Sequence, residues 1–436
     1  MNTLPAELLD QVIAHAAQST SDRTRGRHAA NLSSCCLVSR RFREAAEPVL
    51  YSTIFLENLS NAPALLLKTL ASRPHLAEIV KELFIECAAP CATPVQQVYQ
   101  LRDFLEGALG LLVNLRSLGS NHRVVTTKLV EATLYKRGSG YSMSIPTELG
   151  NVRTLELFAA DYIYKYNYIL RLPQLRRVVL HSAKIIDYDI EDAAFPDDWG
   201  WTSSSIKELV LHQGYRHLSS MAMRLRARSL RALSSSMPCL EYIRLYHFEC
   251  NLFPRQSRHL LAFFAPQLQS SLRQLIIQDG RIDARYPEIG PNYLTDDGMA
   301  ALADIKTSRL EVLSIDVHIL FDTIHNMSLV ETINAASLPA ALRHLHLRYV
   351  EANDMSSVGD TNTMLSWNCN DVAGQIKSKC PLLESINLEL RLLKTPDNIA
   401  IERYKYALSC TGVQLDVQIH NCPTPRRTSI ICSGRT

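Results

Sequence analysis

Three groups of residues in this 436-residue chain have the types and spacing that could hold a metal ion, and two of them lie in predicted loops or beside them. Cys87 and Cys91 form a Cys-x-x-x-Cys pair, which could supply half a zinc site, but a second pair of ligands at matching spacing is missing. The acidic run 187–191 resembles the start of a calcium-binding loop, yet Asp192 stands where the sharp turn needs glycine. We therefore expect no metal ion and no cofactor.

His344 and His346 occupy alternate positions of a predicted strand, so both imidazoles face one side and could chelate a metal ion. Two ligands alone make a weak site, and a polar sheet surface is the favoured interpretation. The chain contains no Gly-x-Ser-x-Gly elbow, phosphate-binding glycine loop, His-Glu-x-x-His helix or kinase motif, although a triad built from distant residues would leave no such motif. We expect a protein without catalytic activity of its own.

Composition indicates an ordered protein and excludes several classes of partner. Apolar residues make up 47% of the chain, and the length exceeds that of a single compact core, so the chain is multi-domain or an elongated repeat structure. The formal net charge is only +3 and the basic residues look scattered, so we expect no nucleic-acid partner. No secretion signal or membrane-spanning apolar run is present, which favours a cytoplasmic or nuclear protein with reduced cysteines.

One motif, aliphatic-x-x-aliphatic-x-aliphatic, recurs about ten times and decides the predicted fold. Copies begin at Val80, Leu115, Val152, Leu175, Ile206, Leu240, Leu272, Leu310, Leu342 and Leu383. Because the end of each copy alternates apolar and polar residues, each copy predicts one short strand. Helical patterns lie between strands at Val95–Leu109, His217–Leu233, Ser257–Phe264, Thr295–Ile305 and Asp371–Lys379.

A strand followed by a helix, repeated at irregular intervals of roughly 25 to 40 residues, resembles the leucine-rich repeat in its long, ribonuclease-inhibitor-like form. The resemblance implies an α/β solenoid with parallel strands on the concave face and helices on the convex face. A doubly wound open sheet also alternates strands and helices, but it predicts a glycine-rich turn after an early strand, and none is present. Residues 187–205 and 350–370 interrupt the repeat and are predicted loops.

The outward strand positions predict a protein-binding surface, because such positions line up along a solenoid. The predicted substrate-binding residues are Glu208, His212, Tyr242, Arg244, Tyr246, Gln274, Gln278, His344, His346 and Arg348. Tyrosine and arginine are frequent anchors of interfaces, so Tyr242, Arg244 and Tyr246 are the favoured hot spot. The alternative is that these residues are ordinary solvated side chains.

The first 56 residues have a different, helical pattern. Apolar residues occur at Leu4, Leu8, Leu9, Val12, Ile13 and Ala16, which is the spacing of an amphipathic helix. A second helix is predicted to begin near Asn31 or Ser33 and to extend to Pro48. Two such helices cannot bury both apolar stripes against each other, so another surface must cover the remainder.

These residues resemble the F-box. The matching features are Leu4-Pro5 followed by Glu7-Leu8-Leu9, the aliphatic Ile13, and Leu37-Val38-Ser39-Arg40 followed by Phe42. The stretches 46–56 and 61–87 are similar to those of fungal F-box proteins, whereas the long loop between the two runs departs from the family pattern. The resemblance implies docking on a Skp-type adaptor, and through it on a cullin, by helix-in-groove packing. The implied adaptor-binding residues are Leu4, Pro5, Leu8, Ile13, Leu32, Leu37, Val38, Arg40 and Phe42.

The sequence thus predicts an F-box helical domain at 1–56, a degenerate repeat solenoid at 57–420 and a flexible tail at 421–436. The resemblance implies a non-catalytic substrate-recognition subunit of a Skp-cullin-F-box ubiquitin ligase, whose repeat surface binds an unidentified protein. The alternative is a solenoid scaffold whose F-box-like helices only cap the repeats or act outside a ligase.

Overall fold

The structure is a computed structural model that describes most of the chain. The chain divides into two compact units, residues 1–240 and 241–436. The described residues are 5–17, 25–56, 62–86, 95–121, 125, 149–158, 169–181, 202–212, 235–248, 267, 270–279, 309–316, 338–350, 369–392 and 398–421.

The first unit begins with three helices: α1 (Ala6–Ala17), α2 (Arg25–Val38) and α3 (Arg40–Ser52). Their common core consists of Leu9, Ile13, Leu32 and Ala46, each at most 5% exposed. Leu9 and Ile13 are four residues apart, so they project from the same side of α1 towards this core. Partly buried apolar residues of all three helices, among them Phe42 and Val49, surround it.

The second predicted helix is in fact two helices, and its predicted start near Asn31 or Ser33 is wrong. Helix α2 already begins at Arg25. The helical conformation is interrupted at Ser39, whose backbone is extended (φ −163°). The Ser39 hydroxyl accepts a hydrogen bond of 3.2 Å from the Phe42 N–H, which caps α3. Helix α3 then continues past Pro48 to Ser52, at the cost of one backbone hydrogen bond.

Six parallel strands follow in the first unit, each paired with the next one along the chain. They are β1 (Thr53–Leu56), β2 (Glu82–Ile85), β3 (Ser117–Ser120), β4 (Thr154–Phe158), β5 (Arg177–His181) and β6 (Glu208–His212). Helices α4 (Ala62–Ser72) and α5 (Pro74–Ile79) connect β1 to β2, and α6 (Val95–Ala108) precedes β3.

The second unit has the same construction with six further parallel strands. They are β7 (Tyr242–Phe248), β8 (Gln274–Asp279), β9 (Val312–Asp316), β10 (His344–Val350), β11 (Ser385–Leu392) and β12 (Gln414–Asn421). Helix α7 (Cys369–Lys379) precedes β11, and α8 (Asn398–Cys410) precedes β12. The registers from β7 to β12 join each strand to its successor in sequence.

The predicted α/β repeat architecture is confirmed by these parallel strands in sequence order. A doubly wound sheet would reverse its strand order at a switch point, whereas the described strands of each unit pair strictly in sequence order. Every predicted motif copy forms a strand, and the helices predicted at Val95–Leu109 and Asp371–Lys379 are present as α6 and α7. The prediction missed β1, which lies in the range assigned to the helical domain, and β12.

The three aliphatic positions of each motif copy form the core of each unit. In the copy that contains β3, for example, Leu115 is 1% exposed and Leu118 is 0% exposed. The next residue in sequence, Gly119, lies on the opposite, outward face of the strand. Such burial of one face explains why the strands keep their register, since a one-residue slip would expose the whole apolar set.

Several predicted segments lie outside the described residues. These are the helices at His217–Leu233, Ser257–Phe264 and Thr295–Ile305, most of the two predicted loops, the tail from 422 onward, and the candidate metal ligands at 87, 91 and 187–192. Within the described ranges, no helix combines the length and apolar character that crossing a membrane requires.

Candidate functional site

Large apolar side chains are exposed on α1 and α2, two of the three N-terminal helices. Leu8 and Val12 of α1 are 45% and 44% exposed, and they lie one helical turn apart. Leu37 and Val38, the last two residues of α2, are 81% and 66% exposed. We call these four residues the apolar helical surface. Helices that bury one apolar face and expose another are typical of partner-binding segments.

The residues implied by the F-box resemblance fall into three environments. Pro5, Leu8, Leu37, Val38 and Arg40 are exposed, and Phe42 is half-buried. Ile13 and Leu32 lie inside the helical core, where they position the helices rather than face solvent. Leu4 is outside the described residues. Sequence reasoning omitted Val12 from the implied adaptor-binding residues. Its spacing of four residues from Leu8 indicates that both lie on the same side of α1.

Two titratable groups in this helical region are shifted by burial. Desolvation, with a smaller contribution from the Glu47 carboxylate, raises the pKa of the Cys36 thiol. The same two causes raise the pKa of the Tyr51 hydroxyl. A raised pKa keeps Cys36 in the thiol form, which is not the nucleophilic form of cysteine. Cys36 therefore serves as a small partly buried apolar residue.

On the outward face of the first unit, polar side chains of β4, β5 and β6 contact one another. Nε2 of His181 lies 2.8 Å from Oε1 of Glu156, and the imidazoles of His181 and His212 stack with centroids 4.8 Å apart. Nε of Arg177 lies 3.4 Å from Oε2 of Glu208. The predicted substrate-binding residues His212 and Glu208 are thus each joined to a neighbour on β5.

Two aromatic side chains stack on the outward face of β1 and β2. The rings of Phe55 and Phe84 stack with centroids 5.0 Å apart and an interplanar angle of 6°. Phe84 also covers Gly119 of β3, since a β-carbon added at Gly119 would be 2.4 Å from Cδ1 of Phe84. Any side chain at residue 119 would therefore displace the Phe84 ring, and glycine avoids this displacement.

In the second unit, β7 carries the predicted hot spot. Tyr242, Arg244 and Tyr246 are half-buried at alternate positions of the strand. Nη2 of Arg244 donates a hydrogen bond of 3.4 Å to Oε1 of Gln274 on β8, and Tyr246 is in register with Gln278. The structure therefore brings all five predicted residues of β7 and β8 onto one face.

His344 and His346 do not form a chelating pair. Nδ1 of His344 lies 2.9 Å from Oγ of Ser385 on β11, whereas Nδ1 of His346 lies 3.0 Å from Oγ of Ser314 on β9. Both imidazoles thus contact neighbouring strands: His344 contacts β11, and His346 contacts β9 and also Glu389 of β11. Among the residues that the structure describes, no group of three or more His, Cys, Asp or Glu could hold a metal ion.

Glu389 of β11 lies between two histidines of the neighbouring strands. Its carboxylate oxygens are each 3.8 Å from an imidazole Nε2, one of His346 and the other of His420. Arg348, in register with Glu389, is only 5% exposed, although sequence reasoning placed it on an exposed surface. The sequence prediction missed Glu389 and His420, because the outward positions of β11 and β12 were not considered.

A second surface that the sequence prediction missed follows from one repeat position, the residue after the first aliphatic of each motif copy. In the first unit this position is basic in five consecutive copies: Lys81, Arg116, Arg153, Arg176 and Lys207. We call these residues the basic ladder. The backbone N–H of each member after Lys81 donates to the carbonyl of the previous member at 2.7–2.8 Å, so the five are aligned side by side.

The prediction of scattered basic residues is therefore wrong for this edge of the first unit. In the second unit the same position alternates in charge, as Glu241, Arg273, Glu311, Arg343 and Glu384. Its ion pairs are Arg273 with Glu311 at 3.7 Å and Arg343 with Glu384 at 2.9 Å. The signal was present in the motif copies, but it appears only when equivalent repeat positions are compared.

A recess of about 410 Å³ lies at the end of the basic ladder that contains Arg176 and Lys207. The other lining residues are Pro173, Gln174, Ser204 and Ser205. Ammonium, guanidinium, amide and hydroxyl groups of this kind donate hydrogen bonds to carboxylates and phosphates.

No protein-family model matches the chain, and no curated protein matches it. A crystal structure of a Bacteroides fragilis protein, determined by the Northeast Structural Genomics Consortium, aligns over 85% of this chain and 74% of its own length. That protein is 9% identical in sequence and gives a TM-score of 0.33. The parallel repeat architecture is therefore established by the strands themselves.

Proposed function

We propose that this chain is the substrate-recognition subunit of a Skp-cullin-F-box type ubiquitin ligase. Helices α1 to α3 would act as the F-box and dock on the Skp-type adaptor, and the outward faces of the repeats would bind a protein substrate. The observation that carries the proposal is the apolar helical surface, in which four large apolar side chains of α1 and α2 are exposed. The F-box resemblance of the same segment supports it.

Exposed leucine and valine on helices suit binding in an apolar groove of a partner, because the partner removes them from water without any change in the helical core. Burial of Leu8 and Leu37 alone would contribute a few kcal/mol, at about 1.5–3 kcal/mol for each side chain that is fully exposed and becomes fully buried. Leu8 starts partly buried, so its share is smaller.

The mechanism assigns no covalent step to this chain. A protein bound to the repeats would be held close to the ligase's catalytic arm, so the effective concentration of its lysines would rise. The half-buried tyrosines and Arg244 of β7 supply large contact area with polar contacts, as interface anchors usually do. Such a subunit would act in the cytoplasm or nucleus.

The test is binding of the full-length protein to a purified Skp-type adaptor, measured by calorimetry. We expect Leu8→Asp and Leu37→Asp to reduce affinity at least tenfold, because each places a charge in the apolar contact. Leu65→Asp on α4 is the matched control, since Leu65 is 64% exposed but lies outside α1 to α3. Absence of adaptor binding by the intact protein would contradict the proposal.

The second candidate function is a repeat scaffold that the three helices merely cap. One observation favours it: the helices are joined to the repeats, since the Lys81 N–H donates to the Ser52 carbonyl at 2.9 Å and Arg73 pairs with Glu47 at 3.2 Å. Deletion of residues 1–52 discriminates the two functions. If the helices are a cap, the deletion should unfold the repeats. If they are a separate docking module, the melting temperature of the repeats should change little.

A further inference from the structure

The basic ladder differs from the equivalent run of the second unit, because its five members carry charge of one sign. Lys81, Arg116, Arg153 and Arg176 are exposed. Within the described part of the chain, none of these four forms an ion pair with a carboxylate. The alternating ladder of the second unit, by contrast, neutralises its own arginines.

The spacing of the ladder is set by the sheet. Adjacent strands lie about 4.8 Å apart, so five aligned residues span about 19 Å. Like charges at this spacing repel one another, and the positive potential along the row is relieved by a ligand that carries several negative charges. The ladder therefore favours a linear anion over a single small one.

The residues that follow the ladder in sequence, which are the first residues of the strands, form a neighbouring row that can also accommodate an anionic ligand. The first residues of β3, β4 and β5 are Ser117, Thr154 and Arg177, which are hydrogen-bond donors. The first residues of β2 and β6, on either side of these three, are the carboxylates Glu82 and Glu208, and Glu208 is paired with Arg177. The central members, Arg116, Arg153 and Arg176, are thus the most electropositive part of the ladder.

We propose that the basic ladder binds an extended, acidic peptide segment of a partner protein, with one acidic side chain held in the recess between Arg176 and Lys207. An extended chain advances about 3.3 Å per residue, so about six residues match the length of the ladder. The acidic groups could be Asp and Glu side chains or phosphoserines, since the donors of the ladder suit both. That this segment belongs to a ligase substrate rests on the proposed function, but the binding itself does not.

A peptide is favoured over a single-stranded nucleic acid because the ladder and the neighbouring row contain no aromatic residue among their described members. Proteins that bind single strands interleave aromatic residues with basic ones, so that bases stack on the rings. In the described residues of the ladder and of the neighbouring row from Thr53 to Glu208, no aromatic side chain is present. The hydroxyl groups lining the recess suit one carboxylate or phosphate group.

The experiment measures fluorescence anisotropy of labelled six-residue peptides with the full-length protein. The probes are a hexaglutamate, a peptide with three phosphoserines, a hexaglutamine and a single-stranded oligonucleotide of six phosphates. We expect both acidic peptides to bind, the hexaglutamine not to bind, and the affinity to fall as salt is raised. The stronger of the two acidic peptides identifies the kind of acidic group that the ladder prefers.

The variant Arg116→Gln/Arg153→Gln/Arg176→Gln tests the ladder directly. We expect about a tenfold loss of affinity for the acidic peptides, since exposed charge pairs contribute modestly and three are lost. The matched control is Arg102→Gln/Arg273→Gln/Arg343→Gln, which removes the same charge at exposed positions outside the ladder. Lysines at the three ladder positions should retain binding, which excludes a loss caused by misfolding.

Equal loss in the control variant, or tighter binding of the oligonucleotide than of the acidic peptides, would overturn this proposal. The glutamine variant should bind the Skp-type adaptor normally, and Leu37→Asp should bind the acidic peptides normally. Failure of the peptide site is therefore distinguishable from failure of adaptor docking.

Discussion

Phe84 covers Gly119 so closely that a β-carbon at residue 119 would lie 2.4 Å from Cδ1 of the phenyl ring. Phe84 is itself stacked on Phe55, so the ring has a neighbour on each side along the outward face of β1 to β3. The absence of a side chain at Gly119 is therefore part of the packing of this face.

We expect Gly119→Ala to destabilise the protein by about 1–3 kcal/mol, because the phenyl ring must leave its position. The measurement is chemical denaturation monitored by circular dichroism. Phe84→Leu in the same chain should recover part of the loss. The matched control is Gly374→Ala on α7, where an added β-carbon has no neighbour within 4 Å, and where alanine should be neutral or stabilising. Equal destabilisation by both single substitutions would contradict this account.

The buried and exposed sides of α1 should respond differently to truncation. Ile13→Ala removes a side chain that is 3% exposed in the helical core, and we expect a loss of about 2–5 kcal/mol. Leu8→Ala removes a side chain that is 45% exposed, and its effect on the isolated protein should stay within about 0.5 kcal/mol. Thermal denaturation of both variants measures the difference, and a large effect of Leu8→Ala would show that this side chain is covered within the chain.

The contact of Glu156 with His181 should contribute little to stability. The two side chains approach to 2.8 Å, but both are partly exposed to solvent. We expect Glu156→Gln to cost at most about 1 kcal/mol, because exposed polar pairs contribute modestly. The matched control is Glu106→Gln on α6, whose pair with Arg102 at 3.1 Å is also exposed and should cost a similar amount. Chemical denaturation measures both variants, and a loss of several kcal/mol for Glu156→Gln alone would contradict this expectation.

The raised pKa of Cys36 predicts slow alkylation. At pH 8 less of this thiol is ionised than of an ordinary cysteine, and it is partly buried, so iodoacetamide should modify Cys36 more slowly than the exposed Cys410. Mass spectrometry of timed samples measures the two rates, and they should become equal in denaturant. Because burial raises the pKa, the stabilising contribution of the neutral thiol is complete below the unfolded-state pKa and is lost as pH rises through the folded-state pKa.

The repeat strands could be predicted because almost every motif copy has aliphatic residues at the three positions that are buried. Strand β1 was not predicted because it follows α3 without a turn. Strand β12 was not predicted because Val413, Leu415 and Val417 depart from the motif spacing. The break at Ser39 was missed because apolar spacing continues across it, from Val38 to Phe42. A capping serine changes the backbone direction without changing the apolar pattern.

The outward positions could be assigned to a face, but their contacts could not be predicted. Strand alternation placed His344 and His346 on one face, but it could not show that their Nδ1 atoms contact Ser385 and Ser314 on two different strands. Those partners lie 41 and 32 residues away in sequence. The basic ladder was missed for a related reason, since net charge was judged over the whole chain instead of at one repeat position.

The two ladders impose different limits on how the repeats could be gained or lost by duplication or deletion. In the second unit the order Glu241, Arg273, Glu311, Arg343, Glu384 has a period of two repeats. Loss of a single internal repeat would place two like charges side by side, so pairs of repeats are the unit that can change without penalty. In the first unit every member of the ladder is basic, so a single repeat can be added or removed and only the length of the positive edge changes.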